Sequence, residues 1–212
     1  MDPLKFKAPF KTKEQAWAAA EEIRTKHCPP GLLPVEVEEI LWKVGLRLEP
    51  IASLRKDEDV DALLTGDLTR IIVDLEDYMD DRMQNRMRFS IAHELGHFVL
   101  HHALYEKIHF ASVKDWIEFV DAIPEDQYSL IEWHANEFAG RLLVPLDRLK
   151  QEFSQAVNKA KKVGFMEWEK TGDVAMEYIA SSICRVFGVS SAVIEKRIAR
   201  EGLRPPATDL SR

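Results

Sequence analysis

The 212-residue chain has room for one large domain or for a domain with a small appendage, and 46% hydrophobic with 31% charged residues is an ordinary globular balance. A net charge of −7 argues against broad nucleic-acid binding by surface charge alone, leaving only a local basic patch to support it. Its two cysteines, Cys28 and Cys184, lie far apart without C-x-x-C spacing, which argues against a disulfide framework or a zinc ribbon and predicts reduced thiols in a cytoplasm.

Residues 1–7 hold no apolar run of signal-peptide length, and no later run is long enough to span a bilayer, so no membrane role is expected. Thr12-Lys13-Glu14-Gln15 has capping-box form ahead of a run of helix formers, predicting a helix over 13–26 that Pro29-Pro30-Gly31 ends. Pro34 suits the first position of a second helix, which carries Val35, Ile40, Leu41 and Val44 and closes at Gly45. Residues 46–51 read as a short strand. Gly66-Asp67, flanked by 62–65 and 68–75, predicts a hairpin, and 69–74 is its most convincing strand. Residues 74–86, dense in acids and then in arginines, read as a solvated linker into a helix over 81–102.

That helix carries H-E-x-x-H at His93, Glu94 and His97. Four residues apart, the two histidines differ by about 40° around the axis and about 6 Å along it, so both imidazoles can close on one zinc ion. Glu94 between them is placed to act as general base on a water beside the metal. Ser90, His93, Glu94, His97 and His101 share one arc, while Ile91, Leu95 and Phe98 share another, as a mostly buried helix requires.

Residues 104–127 give no clear element, and a second long helix is predicted over 128–144, before Pro145. A catalytic zinc takes three protein ligands, so this helix should supply the third from Glu132, His134 or Glu137. Glu132 falls within the apolar arc of Ile131, Ala135, Phe138, Ala139, Leu142 and Leu143, where a carboxylate is costly unless bound. His134 falls some 160° away, toward Arg141 and solvent, and Glu137 is explained by a solvated pair with Arg141. Glu132 is favoured, with His134 the alternative. Asn136, one turn beyond Glu132, is a candidate to orient a ligand imidazole. For an oxyanion donor, His101, His102, His134 and the tyrosines all remain open.

Residues 146–153 suggest a short helix and 154–172 a polar connection. Residues 179–194 resemble a helix-turn-helix, with Ser190 capping the second helix. That helix carries Lys196, Arg197 and Arg200 against Glu195 and Glu201, a modest basic face. The organisation expected is a zinc peptidase domain over 1–155, a helical subdomain over 173–203 and a tail over 204–212.

R-F-S-I-A-H-E-L-G-H-F-V-L-H, followed by E-W-H-A-N-E-F-A-G-R-L-L-V-P, resembles the ImmA/IrrE family of bacterial and phage metallopeptidases over roughly residues 35–150. The pair of motifs is specific where the first alone is shared by many zincins. At His134 this chain departs from the family's more usual Glu or Gln. The resemblance implies a cytoplasmic zinc endopeptidase with His93, His97 and Glu132 as ligands and Glu94 as base. It also implies a protein substrate, a helix-turn-helix repressor of mobile-element or stress genes. The fold expected is α+β, a small, mostly antiparallel sheet beside zincin-type helices with a helical C-terminal part. Residues 62–74 are expected to form the sheet edge that pairs with substrate. Two other classes compete: a DNA-binding or sensor regulator that uses the peptidase fold as a scaffold, and a metal-dependent hydrolase of a small amide.

Overall fold

The capping box at Thr12 forms, with the Gln15 N–H donating to Thr12 Oγ1 at 3.3 Å and the Thr12 N–H donating to Gln15 Oε1 at 2.8 Å. It starts helix α1 (Lys13–His27), the first long element of a computed structural model that describes residues 3–105, 113–162 and 168–204. Helix α2 (Val37–Val44) begins at an N-cap of Glu36, so Pro34 precedes the helix instead of opening it. It ends at Gly45, whose φ of +86° is the left-handed conformation that glycine adopts without a Cβ clash.

Strand β1 (Arg47–Ile51), short helix α3 (Leu54–Glu58), strand β2 (Ala62–Leu64) and strand β3 (Arg70–Asp74) follow. The three strands form one sheet in the order β1-β3-β2, antiparallel between β2 and β3 and parallel between β1 and β3. The α+β class holds, but the sheet is mixed and not mostly antiparallel. The crossover through α3 and β2 brings the chain back alongside β1 in the same direction. The hairpin at 62–74 forms, yet β3 is its central strand, with Ile71 and Val73 fully buried, so only the β2 half is an edge.

Residues 74–86 are mostly exposed, as expected, but they hold a short helix anchored at one buried residue. Asp74 is buried and accepts the N–H groups of Asp77 and Arg55, each at 2.9 Å, which caps helix α4 (Leu75–Met79) and ties it to α3. Helix α5 (Gln84–Tyr105) then runs three residues past its expected end, burying Met87, Ile91, Leu95 and Leu100. Helix α6 (Val113–Ala122) occupies part of the stretch that the sequence left unassigned. Helix α7 (Glu125–Leu143) starts three residues before its expected first turn.

By contacts, the chain divides into two units, Met1–Pro30 with Glu36–Leu142 and Gly31–Val35 with Leu143–Arg212. The first holds the sheet and α1 to α7. In the second, helix α8 (Leu146–Lys162) continues nine residues beyond its expected end, because Phe153, Ala156, Val157 and Ala160 prolong one buried stripe. Helices α9 (Trp168–Phe187) and α10 (Ser191–Arg200) meet at 107°, with Gly188 left-handed at φ +62° and the Ser190 hydroxyl accepting the Val193 N–H at 3.4 Å. Arg197 is buried and paired with Glu201, so it is withdrawn from the basic face expected of α10. The polar connection expected over 154–172 is helical over 154–162 and 168–172, while 163–167 and nearly all of the expected tail lie outside the described residues. No single helix among the described residues is long and apolar enough to cross a membrane.

Candidate metal centre

The site forms where α5 and α7 come closest. A Cβ on Gly96 would stand 3.1 Å from Ala135 Cα and 3.2 Å from Ala135 O, so glycine facing alanine sets the spacing of the two helices. His93, nearly one turn before Gly96 on α5, and His97, directly after it, turn their Nε2 atoms to 3.0 Å, with ring centroids 4.7 Å apart. Glu132 on α7 spans the pair, Oε2 at 3.1 Å from His93 Nε2 and Oε1 at 3.1 Å from His97 Nε2. The edges of 3.0 to 3.1 Å are close to the ~3.3 Å separation of ligands on a tetrahedral ion with arms of ~2.0–2.1 Å. Two imidazole nitrogens and a carboxylate converging at that spacing fit a metal ion.

Glu94 is close but differently engaged. Ligand-capable atoms of His93, Glu94 and His97 all lie within 4.8 Å of one another. Yet Glu94 Oε2 accepts the Leu64 N–H at 2.8 Å, which turns the carboxylate toward the end of β2. Direct contact with both imidazoles therefore singles out Glu132, and Glu94 stands beside the triangle.

The two carboxylates are also opposed in acidity. Burial works against a charge on Glu132, but hydrogen bonds to His93 and His97 outweigh it and hold its carboxyl well below the usual carboxylate range. Burial pushes the Glu94 carboxyl up, only partly offset by the neighbouring imidazoles and the Leu64 N–H. For His93, burial lowers the pKa, but its bond to Glu132 and the nearby carboxylates more than reverse this, and the net shift is upward.

Outside the triangle, Asn136 Oδ1 lies 3.2 Å from His93 Nδ1, on the side of the ring away from the centre. His134 does not face solvent as its helical phase suggested. It is fully buried, with Nδ1 3.2 Å from His101 Nε2 and Nε2 3.0 Å from the Lys11 carbonyl. Glu137 is likewise buried and accepts the Trp17 indole N–H at 2.9 Å, so a solvated pair does not account for it. Both misplacements have one cause: distant segments cover the two residues, and the arc argument assumed a wet face. His101 is buried too, 3.1 Å from His97 Nδ1, so neither it nor His134 is turned toward a substrate.

Two features lay beyond the sequence reading: which of the candidate tyrosines stands at the site, and a cleft beside it. Tyr128, one turn before Glu132, lines the same cleft, and burial raises the phenol's pKa so that it keeps its proton. The i, i+4 spacing to Glu132 was the signal for it. The other is a narrow cleft, with about 20 Å³ of free space, lined by Phe6, Leu104, Tyr105, Trp116, Phe119 and Tyr128 together with His97 and Glu132. Its walls come from four separate segments, and no local pattern announces them.

The family model described as IrrE N-terminal-like domain, Peptidase M78, matches residues 78–199, more than half of the chain. No curated protein matches it.

Proposed function

The chain belongs to the IrrE N-terminal-like domain family of M78 peptidases, and on that premise we propose that it is a zinc-dependent endopeptidase of the cytoplasm. Its substrate in this reading is a protein, a helix-turn-helix repressor whose cleavage relieves repression of mobile-element or stress genes. One observation carries the reading: two carboxylates beside one imidazole pair are held in different states by different partners. Glu132 is an anion clasped to both Nε2 atoms, while Glu94 is held aside by a backbone N–H with its acidity lowered.

His93, His97 and Glu132 would hold the zinc, which supplies Lewis-acid polarisation of the scissile carbonyl and of a water molecule. Glu94 takes the proton of the attacking water and delivers it to the leaving amine, a task suited to a carboxyl whose pKa is raised toward the working pH. Asn136 orients His93 by accepting its Nδ1–H. Tyr128 keeps its O–H and offers it to the oxyanion. β2, an edge strand whose Leu64 N–H reaches Glu94, is the element along which an extended substrate pairs.

The test is to mix zinc-loaded protein with small helix-turn-helix repressors from the same host and to map products by mass spectrometry. Internal cuts that vanish with chelator and in Glu94→Gln are expected. Intact repressors throughout, or cuts that persist in Glu94→Gln, would refute the assignment.

A further inference from the structure

Behind His97 runs a line of buried rings that metal binding by itself does not require. His97 Nδ1 is 3.1 Å from His101 Nδ1, and His101 Nε2 is 3.2 Å from His134 Nδ1. His134 Nε2 then meets both polar atoms of one peptide unit's residue, the Lys11 carbonyl at 3.0 Å and the Lys11 N–H at 3.2 Å. His101 and His134 are 1% and 0% exposed, where an unpaired charge would be costly.

A neutral imidazole has one donor nitrogen and one acceptor nitrogen, so each ring fixes the next. Only two proton orders satisfy every link. In the first, His97 Nδ1–H donates to His101 Nδ1, His101 Nε2–H donates to His134 Nδ1, and His134 Nε2–H donates to the Lys11 carbonyl. His97 Nε2 is then a bare lone pair aimed at the centre. In the second, the Lys11 N–H donates to His134 Nε2, and His134 Nδ1–H donates to His101 Nε2. His101 Nδ1–H then donates to His97 Nδ1, and His97 Nε2–H donates to Glu132 Oε1, 3.1 Å away. Both orders hold three imidazole protons, so passing between them neither gains nor loses one. Lys11 makes this reversal feasible by presenting an acceptor and a donor to the same nitrogen. His93 is placed differently, because its Nδ1 meets Asn136 Oδ1, an acceptor alone.

Resting on the metal reading of the site, we propose that His101 and His134 are positioning residues. They form a three-ring chain with His97, anchored on Lys11, that aims His97 and reverses its tautomer between the metal-free and metal-bound protein. The partner of a ligand histidine is more often a carboxylate or a carbonyl. A neutral ring in that place orients His97 without adding negative charge behind it.

The experiment uses the full chain with ¹⁵N-labelled histidine, read by NMR before and after one equivalent of zinc. With zinc, protons are expected on His97 Nδ1, His101 Nε2 and His134 Nε2; without zinc, all three sit on the opposite nitrogens. Zinc affinity by chelator competition is then compared for His101→Phe and His101→Asn. Phenylalanine fills the space but leaves the His97 Nδ1–H unpaired, and should weaken affinity by roughly 10–100-fold. Asparagine leaves a void but restores an acceptor for that N–H, and should return most of the loss. A purely space-filling role for His101 predicts the reverse ranking. A zinc-loaded wild type with the proton on His101 Nδ1, ring protons unmoved by zinc, or wild-type affinity in His101→Phe would each overturn the proposal while leaving the metal site standing. A wild type that binds no zinc removes the metal reading and this chain's purpose with it.

Discussion

At the scale of single residues, the chemistry turns on keeping Glu94 and Glu132 from exchanging roles. Glu132 touches both imidazoles and Glu94 is tied to Leu64, so their truncations should separate cleanly. Glu94→Gln should retain zinc within a few-fold and lose about 10²–10⁴ in turnover, since an amide cannot take the water's proton. Glu132→Ala should instead lose zinc affinity by a large factor, as chelator competition will show, and activity with it. Tyr128→Phe should keep the metal and lower kcat by about tenfold or more, with KM little changed, if its hydroxyl serves the oxyanion. His93, Glu94 and His97 were legible because four-residue spacing on a helix is local information. Glu132 was legible from the cost of a carboxylate on an apolar arc. His134 and Glu137 were not, because distant segments cover them, through the Lys11 backbone and the Trp17 indole, and nothing local announces that cover.

Among the elements, the approach of α5 to α7 and the capping of α4 are the two places where one atom decides the geometry. At Gly96 an added Cβ would press on the Ala135 backbone, which cannot rotate aside as a side chain can. Gly96→Ala should therefore destabilise by roughly 1–3 kcal/mol and also weaken zinc binding, because it moves Glu132 away from His93 and His97. A thermal melt and a zinc titration together check this. Asp74 accepts two backbone N–H groups, and although its burial opposes the charge, those bonds and its contacts with Glu76 set its pKa below the ordinary 3.8. A depressed carboxyl stabilises the fold above its unfolded pKa and loses that contribution as pH falls through the folded value. Asp74→Ala should then cost about 1–2 kcal/mol near neutral pH, and the gap from wild type should narrow below about pH 4 in denaturant titrations. Helices α1 and α2 were legible from caps and periodicity, at Thr12 and Gly45, whereas α3, α4 and α6 were not. The parallel β1–β3 pairing was not, since strand direction in a sheet is set by the crossover and leaves no mark on either strand.

For the whole molecule, the family match spans residues 78–199 and the site lies entirely within the unit formed by Met1–Pro30 and Glu36–Leu142. The other unit ends in a helix pair of helix-turn-helix shape, but its basic face is thinned by the buried Arg197–Glu201 pair, and the chain as a whole carries −7. Duplex DNA added to the full protein at ~0.15 M salt should accordingly show no tight association by fluorescence anisotropy, whereas submicromolar binding would favour the regulator reading. The central claim is that one metal is held by three protein ligands with a position left for water. It is tested most directly by a crystal structure of the zinc-loaded protein with anomalous data at the zinc edge. The expected result is one peak at ~2.0–2.2 Å from His93 Nε2, His97 Nε2 and a Glu132 oxygen, with Glu94 outside ligand distance. A peak bound by Glu94 in place of Glu132, a fourth protein ligand closing the site, or no peak between α5 and α7 would contradict it.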